Sequence, residues 1–118
     1  MMEKFKTVIN GMTYTIELCH DGTMGVKVPE EGDEGYTDGI CDYYLQRILL
    51  LDTLPEDRLR RVLYHELAHA YLYEAYRKEA LDYTNEEICI FTENFVESIY
   101  GTANAFMQYH KGCSKSDE

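Results

Sequence analysis

RVLYHELAHAYLYE, residues 61–74, places His65, Glu66 and His69 inside a run that otherwise reads as an amphipathic helix. At 100° per residue, Leu59, Val62, Leu63, Ala70 and Tyr73 form one apolar stripe. Glu66 falls near the middle of that stripe, His69 on its flank, and His65 just beyond on the same side. Polar groups on the face that packs against a core are costly unless something satisfies them, and an isolated carboxylate most of all. The spacing names a partner. Histidines four residues apart bring two imidazole nitrogens within reach of one ion, and the glutamate beside the first can address a water bound to it. This is H-E-x-x-H on a helix, the arrangement of zinc hydrolases. Paired histidines at this spacing are commonly plain surface or core residues. Here the glutamate stands at the one correct offset and the pair sits on the inward side, which favours a metal.

Outward from the motif, Asp52 or Thr53 can cap a helix that Pro55 opens, with Glu56 and Asp57 against the positive end of its dipole. That helix is expected over 55–77. A second follows the break at 82–85, capped by Thr84 or Asn85, with an apolar set of Ile88, Phe91, Phe95 and Ile99. Gly101 is a candidate interruption, with 103–109 as a continuation. The tail 111–118, KGCSKSDE, is expected to be disordered.

Upstream, the pattern changes to strands. Residues 5–9 and 12–18 flank Asn10-Gly11, the strongest short hairpin signal. Met12, Tyr14, Ile16 and Leu18 alternate with polar residues, so one face is buried. A third strand is expected over 23–28, an acidic, glycine-rich loop over 29–39, and a further strand at 46–51, with 40–43 its possible hairpin partner. The fold class is α+β: N-terminal antiparallel strands and hairpins, then two main helices. One domain over 1–110 suits a chain of 118 residues, which has length for a modest core and not for two.

Composition narrows the function. A formal net charge of −11 opposes nucleic acid or an anionic membrane as partner, because phosphate attraction becomes repulsion. No apolar window is long enough to span a bilayer. No secretory signal is visible at the N-terminus, and Cys19, Cys41, Cys89 and Cys113 are scattered. Reduced thiols in a cytoplasm are therefore expected.

A catalytic zinc needs a third protein ligand. The metzincin continuation is absent, since Leu72 and Ala75 stand where its glycine and histidine belong. Glu86, Glu87 and His110 remain. Measured from the apolar stripe of the second helix, Glu87 lies about 100° away and Glu86 about 160° away. Helical phase thus favours Glu87 at the border of the helix pair and sends Glu86 to water. The plain alternative is that both are ordinary N-terminal helix acids.

RILLLDTLPEDRLRRVLYHELAHAYLYE, followed by NEEICIF, resembles the small phage- and prophage-type metallopeptidases related to the ImmA/IrrE family. GICDYYLQRILLLD resembles the strand region upstream of their motif. The resemblance covers residues from about 35 to about 95. It implies a zincin-like minimal metallopeptidase core that cleaves a protein or peptide substrate, with a downstream glutamate completing a gluzincin-like site. The family's E-x-x-A-N-x-F-A pattern reads N-E-E-I-C-I-F-T here. Asn85 takes the first acidic position, and Glu87 is the glutamate that best matches in register. The helix-turn-helix domain of many larger relatives is not expected within these 118 residues.

The expected chemistry is that of a zinc peptidase. His65, His69 and Glu87 hold Zn²⁺ and leave a fourth position for water, whose pKa the metal lowers. Glu66, not a ligand, takes the proton as water attacks and passes it to the leaving amine. Tyr83, Tyr100, Tyr109 and His110 are unranked candidates for a further oxyanion donor. The strand at 46–51 is either an edge that aligns an extended substrate or buried core. The other function classes are a catalytically inactive zinc-binding interaction module of phage or prophage origin, and a metal-free accessory protein that binds through its acidic surface.

Overall fold

The computed structural model describes residues 4–20, 38–76 and 83–116. The expected strand at 23–28, nearly all of the acidic loop and the helix end at Arg77 lie outside them. Strands β1 (Lys4–Ile9), β2 (Met12–Cys19), β3 (Gly39–Asp42) and β4 (Arg47–Leu51) precede helices α1 (Glu56–Tyr76) and α2 (Asn85–Ser116). This is α+β with the strands first.

The hairpin at Asn10-Gly11 forms as its sequence dictates. Both residues take positive φ, 48° and 85°, which an Asn-Gly pair tolerates and most residues do not. It sets the β1–β2 register from Ile9 opposite Met12 to Lys4 opposite Glu17. A second hairpin joins β3 to β4 through residues 43–46. Asp42 Oδ1 accepts the backbone N–H groups of Tyr44 and Leu45, each at 3.0 Å, an Asx-type turn that reverses the chain.

The sheet departs from an all-antiparallel reading in one place. Its order is β1-β2-β4-β3, and β2 pairs with β4 in parallel, Thr15 opposite Arg47 through Cys19 opposite Leu51. β4 is therefore an interior strand, which overturns its candidacy as a substrate-aligning edge. Its composition explains the placement: Ile48, Leu49, Leu50 and Leu51 are buried on both faces, as an interior strand covered on both sides requires. Ile48 and Leu50 join the main core under α1. Leu49 and Leu51 form a smaller cluster with Cys19 on the opposite face.

α1 lays Leu59, Leu63, Leu67 and Ala70 onto the sheet. α2 runs back along α1 and packs Phe91, Ala103, Phe106 and Met107 into the same core. Gly101 does not interrupt it. The helix also continues through 111–116, where a disordered tail was expected; Lys111 Nζ reaches Glu56 Oε1 at 2.8 Å and ties that stretch to the start of α1. Among the described residues no helix is long and apolar enough to cross a membrane.

Candidate metal and catalytic site

The two histidines of the motif meet, though at the outer flank of α1 and not on its inward side as expected: His65 is exposed and His69 half-buried. Nε2 of His65 and Nε2 of His69 stand 3.2 Å apart, with the rings edge to face at a centroid separation of 4.8 Å. Two nitrogens each about 2.0–2.1 Å from a tetrahedral zinc lie about 3.3 Å from one another. The pair thus already has the separation of two ligands on one ion. At this distance one ring nitrogen donates to the other in a tautomer that allows it, and a metal ion would take that proton's place. Burial, with a smaller contribution from His65, holds the His69 imidazole below its ordinary pKa. That keeps the ring neutral, the form a metal binds.

Glu66 lies between this pair and the core. Only 7% of it is exposed, and among the described residues no group hydrogen-bonds its carboxylate. Burial alone pushes its pKa up to about 7. A divalent cation at the histidines would draw it back down. β3 closes over this part of α1 because residue 39 is glycine. A Cβ there would stand 2.7 Å from Val62 Cγ1 and 3.2 Å from Glu66 Cγ, so a side chain would push strand and helix apart. Beside the seam, a cavity of about 250 Å³ is lined by Asp38, Arg58, Arg61, His65 and Glu66.

The downstream candidates sit elsewhere. Glu87 closes a capping box at the start of α2. Its Oε1 accepts from the Thr84 backbone N–H at 3.1 Å, and its own N–H donates to Thr84 Oγ1 at 3.1 Å. This satisfies helix-end groups reciprocally. The structure does not bring it to the histidines. Tyr64 and Tyr71 are the α1 side chains that meet Tyr100, Thr102 and Phe95 of α2. They lie about 140–160° around the α1 axis from His69. α2 therefore occupies the opposite flank. Glu86 is exposed, and His110 stacks on Phe106 at 6.0 Å, far along α2. Among the described residues, no three His, Cys, Asp or Glu side chains come together to hold a metal ion. Of the oxyanion candidates, Tyr83 donates to the Leu72 carbonyl at 3.2 Å and Tyr109 to the Lys4 carbonyl at 3.2 Å, while Tyr100 stacks on Tyr64.

Two features escaped the sequence reading. Arg58 and Arg61 extend the His65 side of α1 toward its N-terminus, at helical spacings of seven and four; carrying the face back past Val62 would have found them. Tyr14, a member of the buried face of β2, donates to Glu74 Oε2 at 2.6 Å, and Asn10 Nδ2 donates to the Glu74 carbonyl at 2.9 Å. The first hairpin is thereby fastened to the far end of the motif helix. Neither contact is legible without the tertiary fold. Comparison with family models, with curated proteins and with solved structures finds no match to this chain.

Proposed function

We propose that the chain is a zinc-dependent metallopeptidase, as its resemblance to the ImmA/IrrE-related peptidases implies. The observation that carries this reading is the 3.2 Å separation of the His65 and His69 Nε2 atoms, matched to a tetrahedral zinc edge, with Glu66 adjacent on the same helix. When bound, zinc supplies an acidified water and polarises the scissile carbonyl. The chain's own residues do the rest. His65 and His69 hold the ion. Glu66, withdrawn from bulk water, holds a proton at its carboxylate and returns it to the leaving amine.

The donor set fits zinc in two of its three places. For Glu87 to supply the third, as the resemblance implies, its carboxylate must leave Thr84 and α2 must present it on the other flank of α1. A second reading draws on that mismatch: a zinc-binding interaction module that does not turn over. Peptide hydrolysis by the zinc-loaded protein, compared with Glu66→Gln at equal zinc content, tests the proposal. Hydrolysis lost in the variant supports the peptidase. No hydrolysis in either, with zinc bound in both, leaves the binding module as the correct reading.

A further inference from the structure

We infer that the cavity beside Glu66 is a carboxylate-recognition pocket, in which Arg58 and Arg61 bind an anionic group of the peptide close to the scissile bond. The inference rests on the peptidase reading and names its substrate class. The cavity has a polar lining and opens on the same flank of α1 as His65. Arg58 donates from Nε to Asp38 Oδ2 at 2.8 Å, and its Nη2 lies 2.6 Å from the same oxygen. Asp38 is 7% exposed, so this buried carboxylate fixes the guanidinium at the rim instead of leaving it to sample solvent. Arg61 is exposed, and among the described residues no group pairs with it.

The placement of the charges decides the preference. The two lining carboxylates, Asp38 and Glu66, are each 7% exposed, whereas the Arg58 side chain is 53% exposed and Arg61 is exposed, so among the described residues the solvent-facing rim presents cations on a chain of net charge −11. A planar guanidinium presents its N–H groups in the fork that suits a carboxylate. Arg61 stands one helical turn before His65 and Arg58 two, about 6 and about 10 Å along the axis. In an extended peptide that span is two to three residues at about 3.3 Å each. Either an Asp or Glu side chain or a free C-terminal carboxylate fits this chemistry.

Three peptides of one neutral sequence separate these sources: capped at both ends, with a free C-terminus, and capped with one aspartate. Binding of each to the zinc-loaded protein is measured by calorimetry, and hydrolysis separately. At least one carboxylate peptide should bind about tenfold more tightly than the neutral one, and the gap should shrink at high salt. Which of the two gains shows whether a chain end or a side chain is read. Arg61→Ala should remove the gap and Arg61→Glu should reverse it, with melting temperatures close to wild type because the residue is exposed. Equal binding of the three peptides, or a preference that survives Arg61→Glu, would overturn the inference. Binding is scored without turnover, so the two claims fail separately. An Arg61-dependent preference with no hydrolysis overturns the peptidase alone, whereas hydrolysis without preference overturns the pocket alone.

Discussion

Nε2 of His65 and Nε2 of His69 face one another at 3.2 Å on the outer flank of α1. That separation suits one metal ion held by both ring nitrogens at once. We expect one zinc per chain in wild type and none in His65→Ala/His69→Ala, read by metal analysis after dialysis. Ligand binding belongs to the folded state, so free zinc at a hundred times its Kd should add about 2.7 kcal/mol of stability. A melting temperature that zinc does not move would remove the site.

Glu66 combines a buried carboxylate with no hydrogen-bond partner among the described residues. Such a group costs stability. Glu66→Gln should keep zinc and lose nearly all hydrolysis. Glu66→Met should also abolish hydrolysis, yet raise the stability of the zinc-free protein by about 1 kcal/mol. Thermal melts of the two variants beside wild type check this. Destabilisation by methionine would show that the carboxylate has a supporting partner.

The close approach of β3 to α1 depends on Gly39, where a Cβ would stand 2.7 Å from Val62 Cγ1. Gly39→Ala should cost about 1–3 kcal/mol through overpacking. Adding Val62→Ala removes the obstructing methyl, so the double variant should be more stable than the sum of the two single changes. Strict additivity in denaturant melts would place the strand farther from the helix.

Acid sensitivity has a named source in the sheet. Burial pushes the Glu17 carboxyl upward, but hydrogen bonds from Arg47 and Thr15 outweigh it and hold the pKa below the ordinary glutamate value. Arg47 Nε lies 3.0 Å from Glu17 Oε2. A carboxyl with a lower pKa in the folded state stabilises above the unfolded value. That contribution is lost as the pH falls through the folded one. Arg47→Met leaves the buried Glu17 carboxylate without its guanidinium, with Thr15 Oγ1 still donating to it, and should cost about 3 kcal/mol at pH 7. The difference should narrow below the ordinary glutamate range, where Glu17 protonates in both proteins. A difference constant with pH would take the pair out of the acid transition.

Local patterns carried most of the fold. Asn10-Gly11 specifies a turn by itself, and the stripes of α1 and α2 follow from spacing alone. What the sequence did not disclose was pairing at long range. The parallel match of β2 with β4 depends on a chain reversal that no local signal encodes, and it is this match that moves β4 from edge to interior. The candidate site divides in the same way. His65, Glu66 and His69 lie within one helix, so their mutual geometry is legible. The third ligand is not. Helical phase gives the direction of Glu87 about the axis of α2, but not the flank of α1 against which α2 packs. Tyr64 and Tyr71 fix that flank through their contacts, and those contacts are tertiary.

Glu87 therefore offers the sharpest test. As the third residue of a capping box it satisfies the Thr84 N–H, a service that glutamine performs equally well. As a zinc ligand it must be a carboxylate. Glu87→Ala should lower stability by about 1 kcal/mol through loss of the cap, with zinc affinity unchanged. Glu87→Gln should preserve both. Thr84→Ala should reproduce the stability loss of Glu87→Ala, because the two side chains serve one cap, while the exposed Glu86→Ala should stay within about half a kcal/mol of wild type. Zinc titration and thermal melts on the same four variants supply both readouts. If Glu87→Gln keeps its melting temperature but loses zinc, the carboxylate ligates, and α2 must reach the histidine flank when the metal is bound.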